Sequence, residues 1–268
     1  MNSGKNGRDD SGAADDSYRW RRTIGGKMTL QPKRMFAVLS LVFAPLLLGA
    51  IELFHPAHFT LDPGMTAFLS QPQGGDPYFN AIVYFGPNWW FLLHMVQTPL
   101  VVLVSFGLLQ VTDTFESHNS ARFMPLAWSA RIATVVFMIY YTVLDSIGGI
   151  GLGRELLVLK ELQNTGALTA PDAKIIADFL DRMWVDPWVG GVGSFVSLTG
   201  SWAIFVAALL TAGYLLLNRK ASWLEGLLLI AFGWELQQAH ASYHGPIAFS
   251  LLALSSSLRL SRKTPLSQ

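Results

Sequence analysis

The chain has 268 residues, of which 51% are hydrophobic and only 14% are charged. Soluble domains carry about a quarter charged residues, so this composition predicts an all-α, polytopic membrane protein. Cysteine is absent, which excludes disulfides, thiolate metal ligands and thiol nucleophiles.

Residues 1–34 differ in composition from the rest of the chain. The first sixteen residues are rich in Gly, Ser, Asn and Asp, without apolar periodicity, and predict disorder. Basic residues follow up to the first apolar segment: Arg19, Arg21, Arg22, Lys27, Lys33 and Arg34. Such residues beside a span usually stay in the cytoplasm. We therefore predict a disordered, basic cytoplasmic tail at 1–34 and expect no nucleic-acid partner.

Residues 35–260 contain six apolar segments, each of which predicts a transmembrane helix. They are Met35–Phe54, Trp89–Val111, Ala130–Ile150, Val192–Leu217, Ala221–Ala241 and Pro246–Leu260. The third span is expected to end at the glycines Gly148, Gly149, Gly151 and Gly153. The sixth span is short for a hydrocarbon core of ~30 Å. Residues 261–268 are expected to form a short cytoplasmic tail.

The distribution of basic residues predicts the orientation. If the N-terminus is cytoplasmic, fifteen of the nineteen Lys and Arg residues lie inside. The four outside are Arg154, Lys160, Lys174 and Arg182. This asymmetry follows the positive-inside rule. It predicts a multi-pass protein of the cell inner membrane, with both termini cytoplasmic and the lipid bilayer as its partner.

Residues Pro171–Trp184 lie between the third and fourth spans and predict an amphipathic helix on the outer side. Apolar residues recur there at helical spacing, charged residues lie opposite, and proline falls in the first turn. Two interpretations remain open. The helix rests on lipid headgroups, or it forms a lid over an outward-facing pocket.

Ionisable residues cluster at one predicted depth of the membrane. Odd-numbered spans end at the outer side and even-numbered spans begin there, so several polar residues are expected to form one layer: Glu52, His55, His58, His94, Asp145, Glu235, His240 and His244. Ionisable groups at this depth are costly and usually functional. A structural layer of interfacial side chains is the alternative.

Four members of this layer form the predicted metal site. His240 and His244 are four residues apart and would share one face of a continuing helix. Together with His94 and Asp145 they could ligate one zinc or iron ion. Glu52 and Glu235 are the acid–base candidates, whereas His55, which precedes Pro56, and His58 are expected at the rim.

The order of these residues resembles the membrane-embedded hydrolases of the alkaline ceramidase and progestin-receptor-like superfamily. The shared elements are a histidine in the second span, an aspartate in the third and an H-x-x-x-H pair in a late span. That resemblance implies a membrane-embedded hydrolase. This chain departs from the family in having six predicted spans rather than seven, and Trp90 where the family has serine.

The same residues permit other sites and functions. Two histidines from different spans could bind haem b axially, and the Glu52-x-x-His55 spacing also occurs in di-iron bundles. The leading hypothesis is a metal- or haem-dependent membrane enzyme with a lipophilic or periplasmic small-molecule substrate. The alternative is a non-enzymatic transporter or assembly factor that uses the polar layer for binding or proton coupling.

Overall fold

A computed structural model describes residues 32–56, 64–72, 84–113, 123–191, 193–241 and 243–262. The chain divides into two compact units, Met1–Met35 and Phe36–Gln268, and the second unit contains the fold. Most of the predicted N-terminal tail, His58, and the C-terminal tail from residue 263 lie outside the described residues. Within the predicted tail, Pro32 already begins the first helix.

The described residues form eight helices and fit the predicted all-α class. These are α1 (Pro32–Glu52), α2 (Met65–Leu69), α3 (Pro87–Val111), α4 (Met124–Asn164), α5 (Ala170–Trp184), α6 (Phe195–Leu217), α7 (Trp223–Gln238) and α8 (His244–Ser261). Two helices contain a π-helical segment, Leu39–Phe43 in α1 and Asp145–Gly151 in α4.

Six of these helices pack in a closed ring. The α1 segment Ala44–Glu52 packs on α3, α3 on α4, α4 on α6, α6 on α7, α7 on α8, and α8 returns to Ala44–Glu52. Their facing side chains form one apolar core, in which Leu48, Phe137, Ile204, Phe232 and Phe249 are almost fully buried. These helices also carry large exposed apolar side chains, among them Phe106, Ile132 and Leu227.

Four of the described helices are long and apolar enough to cross a membrane: α1, α3, α4 and α6. These four are compatible with the membrane character predicted from composition. The fifth predicted span corresponds to α7, which has 16 residues and a length of roughly 24 Å. The sixth corresponds to α8, which carries Arg259 in its last turn. Crossing by these two helices remains a prediction.

Helix α4 does not end where the sequence predicts. The helix continues through the glycine-rich stretch as a π-helical segment and reaches Asn164. Beyond the glycines, Leu152, Leu156 and Leu159 are buried at the spacing of one helical face. Burial of this face favours continued helix, so the predicted end near Ile150 was wrong.

The predicted amphipathic helix is present as α5. Its N-terminus has a capping box, in which the side chains of Thr169 and Asp172 each accept a hydrogen bond from the other residue's backbone N–H. Helix α5 packs on α2 and on the last part of α4. The Thr66 backbone N–H also donates to Asp181 Oδ1 at 2.6 Å. The position of helix α5 at a membrane interface remains a prediction.

A second apolar cluster joins α2 and α5 to the neighbouring ends of α3 and α4. Its members are Met65, Leu69, Tyr84, Trp90, Leu152, Leu156 and Leu180. The Tyr84 hydroxyl donates to the Leu69 carbonyl at 3.1 Å, and burial raises the pKa of this phenol above its ordinary value. Through Trp90, this cluster adjoins the polar layer.

Candidate metal centre

Three histidines from three separate parts of the chain converge at one end of the ring. The ligating nitrogens of His55, His94 and His240 all lie within 4.8 Å of one another, the one such group of metal-ligand atoms among the described residues. The ring of His55 lies edge-on to the other two, with centroids 5.4 Å from His94 and 4.9 Å from His240. His55 and His94 are buried, and His240 is partly buried.

Backbone carbonyl groups orient two of these rings. His94 Nδ1 lies 2.7 Å from the Trp90 carbonyl oxygen, and His55 Nδ1 lies 3.0 Å from that of Pro56. A carbonyl can only accept, so each Nδ1 carries the hydrogen and each Nε2 carries the lone pair. A hydrogen bond of this kind usually fixes the tautomer of a metal-bound histidine.

Burial also favours the uncharged form of His55. Desolvation lowers the pKa of His55 well below its ordinary value, and the neighbouring His240 and His94 lower it further. Neutral imidazole is the form that binds metal ions.

The π-helical segment of α4 brings the backbone close to His94. A Cβ atom added at Gly149 would lie only 2.7 Å from the Cβ of His94, and closer still to its ring. No other residue type fits there without displacement. Within this segment, the Gly148 carbonyl accepts a hydrogen bond from Trp90 Nε1 at 3.0 Å. π-helical segments of this kind often occur at functional sites.

A small cavity lies against the three histidines. It has a volume of about 20 Å³, and its other lining residues include Asp145, Trp90 and Trp184. This volume is sufficient for one water-sized occupant. The Asp145 side chain is buried and accepts a hydrogen bond from the Thr98 hydroxyl at 3.2 Å. Its carboxylate does not belong to the group of mutually close ligand atoms.

Glu52 begins a chain of buried polar groups beside the cluster. Gln97 Nε2 donates to Glu52 Oε1 at 2.7 Å and to the Tyr141 hydroxyl oxygen at 2.6 Å. The Tyr141 ring in turn lies 5.6 Å from the His240 ring. Glu52 Oε2 has no hydrogen-bond partner among the described residues. The Glu52 carboxylate therefore lies in the polar layer with only one of its two oxygens accepting a hydrogen bond.

The predicted metal residues separate into two groups. His94 and His240 lie in the cluster, with Asp145 lining the adjoining cavity outside the ligand group. His244 lies apart, and its Nδ1 pairs with Glu235 Oε2 at 2.8 Å. The premise that His240 and His244 share one helical face was wrong. Helix α7 ends at Gln238, the next residue is extended, and α8 begins at His244.

The third histidine of the cluster is His55, which the sequence placed at the rim. That interpretation was wrong, because only 5% of His55 is exposed and its ring lies between His94 and His240. Its backbone N–H donates to the Glu52 carbonyl at 3.1 Å, which continues the turn beyond α1. The i,i+3 spacing of Glu52 and His55 was the available signal.

Comparison with known proteins gives no family assignment. No protein family, no curated protein and no solved structure matches this chain. The functional argument therefore depends on the residues of the cluster.

Proposed function

We propose that this chain is a membrane metalloenzyme that binds one divalent transition ion, zinc by preference, at His55, His94 and His240. The observation that carries the proposal is the convergence of their three ligating nitrogens. Zinc–nitrogen bonds of 2.0–2.1 Å in a tetrahedral site hold such atoms about 3.3 Å apart. Starting from separations of at most 4.8 Å, the rings would close by no more than ~1.5 Å to bind the ion.

The charges around the cluster support a divalent cation. Glu52 and Asp145 lie in the same polar layer, and only 0% and 1% of their surfaces are exposed. Two buried carboxylates beside neutral imidazoles are costly without a counter-charge. One divalent ion would balance the charges of both carboxylates. Its presence would explain why two carboxylates lie near the cluster without belonging to the ligand group.

The small cavity favours a single ion over haem or a di-iron centre. A porphyrin is many times larger than the 20 Å³ beside the histidines. A di-iron centre needs several carboxylate ligands, whereas this cluster has three imidazoles. Three histidines suit zinc and leave one coordination position for water or substrate. That arrangement supports hydrolysis of a membrane-soluble or periplasmic compound.

The remaining polar residues receive roles by their contacts. Glu52, linked through Gln97 to Tyr141, is our acid–base candidate. Asp145 lines the cavity, where it would orient water or substrate. Glu235 forms a hydrogen bond with His244. We assign this pair a structural role at the turn between α7 and α8.

We also propose that all six ring helices cross the membrane, with both termini cytoplasmic and α5 at the outer interface. Closure of the ring by α7 and α8 and the excess of basic residues in the predicted inner segments support this topology. Reporter fusions after residues 88 and 268 test it. An external C-terminus would contradict the six-span arrangement.

Cobalt substitution and hydrolysis assays test the metal and the reaction separately. A four-coordinate cobalt site gives much stronger visible absorption than a six-coordinate one, so we expect intense bands in wild-type protein and their loss in His240→Ala. The zinc form is then assayed against ester and amide substrates with alkyl chains of different lengths. Cobalt bands without any turnover would retain the metal site and refute the enzymatic role.

A further inference from the structure

A larger cavity lies next to the histidine cavity, between α5 and the π-helical segment of α4. Its volume is about 400 Å³, which is in the range of small-molecule binding sites. Most of its walls are apolar, and Ser146 and Glu155 are polar exceptions. The main apolar lining residues are Ile147, Leu152, Phe179, Leu180, Met183 and Val189.

Trp184 separates the two cavities. Trp184, Gly148 and Gly191 line both of them. The indole ring fits between the two glycines. An added Cβ would lie 3.3 Å from Trp184 Cζ3 at Gly148, and 2.5 Å or less from the ring at Gly191. The Trp184 ring also packs edge-on against Trp90, which contacts His94. One side chain therefore forms the partition between the large cavity and the metal cluster.

Exposed apolar side chains surround the large cavity. Phe179 and Met183 line it and are also exposed, and Ile175 extends the same face of α5. Ile147 contributes a further exposed side chain from α4, one of the helices apolar enough to cross a membrane. An exposed apolar surface of this kind is suited to contact with lipid. An apolar molecule dissolved in the bilayer could enter without passing through solvent.

We infer that this cavity binds a single alkyl chain of a membrane-soluble substrate and directs its polar end past Trp184 to the histidine cluster. The substrate class rests on the proposed function, whereas alkyl binding in the cavity does not. If a methylene group takes about the volume of a water molecule, ~30 Å³, the cavity accommodates roughly a dozen of them. Helix α5, which the sequence offered as a lid over a pocket, would then form one wall of the substrate site.

Photolabelling tests the cavity directly. The probe is dodecyl hydroxamate with a mid-chain diazirine, and the protein is held in phosphatidylcholine nanodiscs. We expect saturable labelling of peptides containing Ile147 and Phe179, with competition by unlabelled dodecyl hydroxamate. The variant Ile147→Trp fills the cavity and should reduce saturable labelling at least fivefold while leaving the zinc content unchanged.

Ile139→Trp is the matched control, since Ile139 is an exposed isoleucine on the same helix and does not line the cavity. It should leave saturable labelling and zinc content as in wild type. Equal labelling in all three proteins, or labelling that never saturates, would overturn the inference even if zinc is bound. Saturable labelling of a wild-type protein that holds no zinc after loading would retain the alkyl site and refute the metal-dependent function instead.

Discussion

The substitution Gly149→Ala tests the packing that positions His94. The added Cβ would lie 2.7 Å from His94 Cβ, whereas ordinary contacts begin near 3.4 Å. The His94 side chain or the α4 backbone must therefore move by about 0.7 Å or more. Metal sites tolerate errors of only about 0.2 Å in ligand distance. We expect zinc affinity to fall by roughly 10- to 100-fold, the range for residues that support a metal ligand.

The same change should destabilise the metal-free protein. Overpacking of a dense interior costs about 1–3 kcal/mol, although alanine otherwise favours helix over glycine by up to ~1 kcal/mol. Competition with a chromophoric chelator measures zinc affinity, and thermal unfolding of the apo protein in detergent measures stability. The two readouts separate a displaced ligand from a globally unfolded chain.

Gly213→Ala provides the control for helix propensity. An added Cβ there meets only Leu126 Cδ2 at 3.6 Å, an ordinary contact. This variant should retain zinc affinity and have an equal or higher unfolding temperature. Wild-type zinc affinity and stability in Gly149→Ala would refute the claim that α4 fixes the position of His94.

Three further changes test neighbouring parts of the structure. Trp90→Phe keeps an aromatic ring but removes the donor to the Gly148 carbonyl; we expect a loss of about 1–3 kcal/mol, seen as a lower unfolding temperature. Thr169→Ala removes half of the α5 capping box; it should cost ~1 kcal/mol and speed hydrogen exchange near Asp172. Glu52→Gln removes a compensating charge; zinc affinity should fall about tenfold in a folded protein, and an unchanged affinity would contradict the charge argument.

Composition and apolar periodicity predicted the helical class and the positions of the main helices. The sequence did not predict the length of α4, because glycine usually marks a helix end. The outcome depended on Leu152 and Leu156, which are buried against α2, α3 and α5. A tertiary contact therefore overrode a local signal.

The candidate site was predicted in part. The sequence placed His94 and His240 in one layer, and the structure brings their ligating atoms together. It gave the other ligand positions to His244 and Asp145 instead of His55, and it chose His244 because the spacing of His240 and His244 was interpreted as a continuous helix. The reversal of the chain after Gln238 and the folding of His55 over the core depend on long-range packing. For His55, the i,i+3 spacing from Glu52 was the one local signal.

Metal stoichiometry in purified protein is the most direct test of the central claim. Freshly prepared wild-type protein, loaded with zinc and desalted, should retain one zinc ion per chain by elemental analysis. His55→Ala, His94→Ala and His240→Ala should each retain little or none, while His244→Ala should retain one. A wild-type protein that holds no metal after loading, or a His244→Ala protein that loses zinc while His55→Ala keeps it, would contradict the three-histidine site.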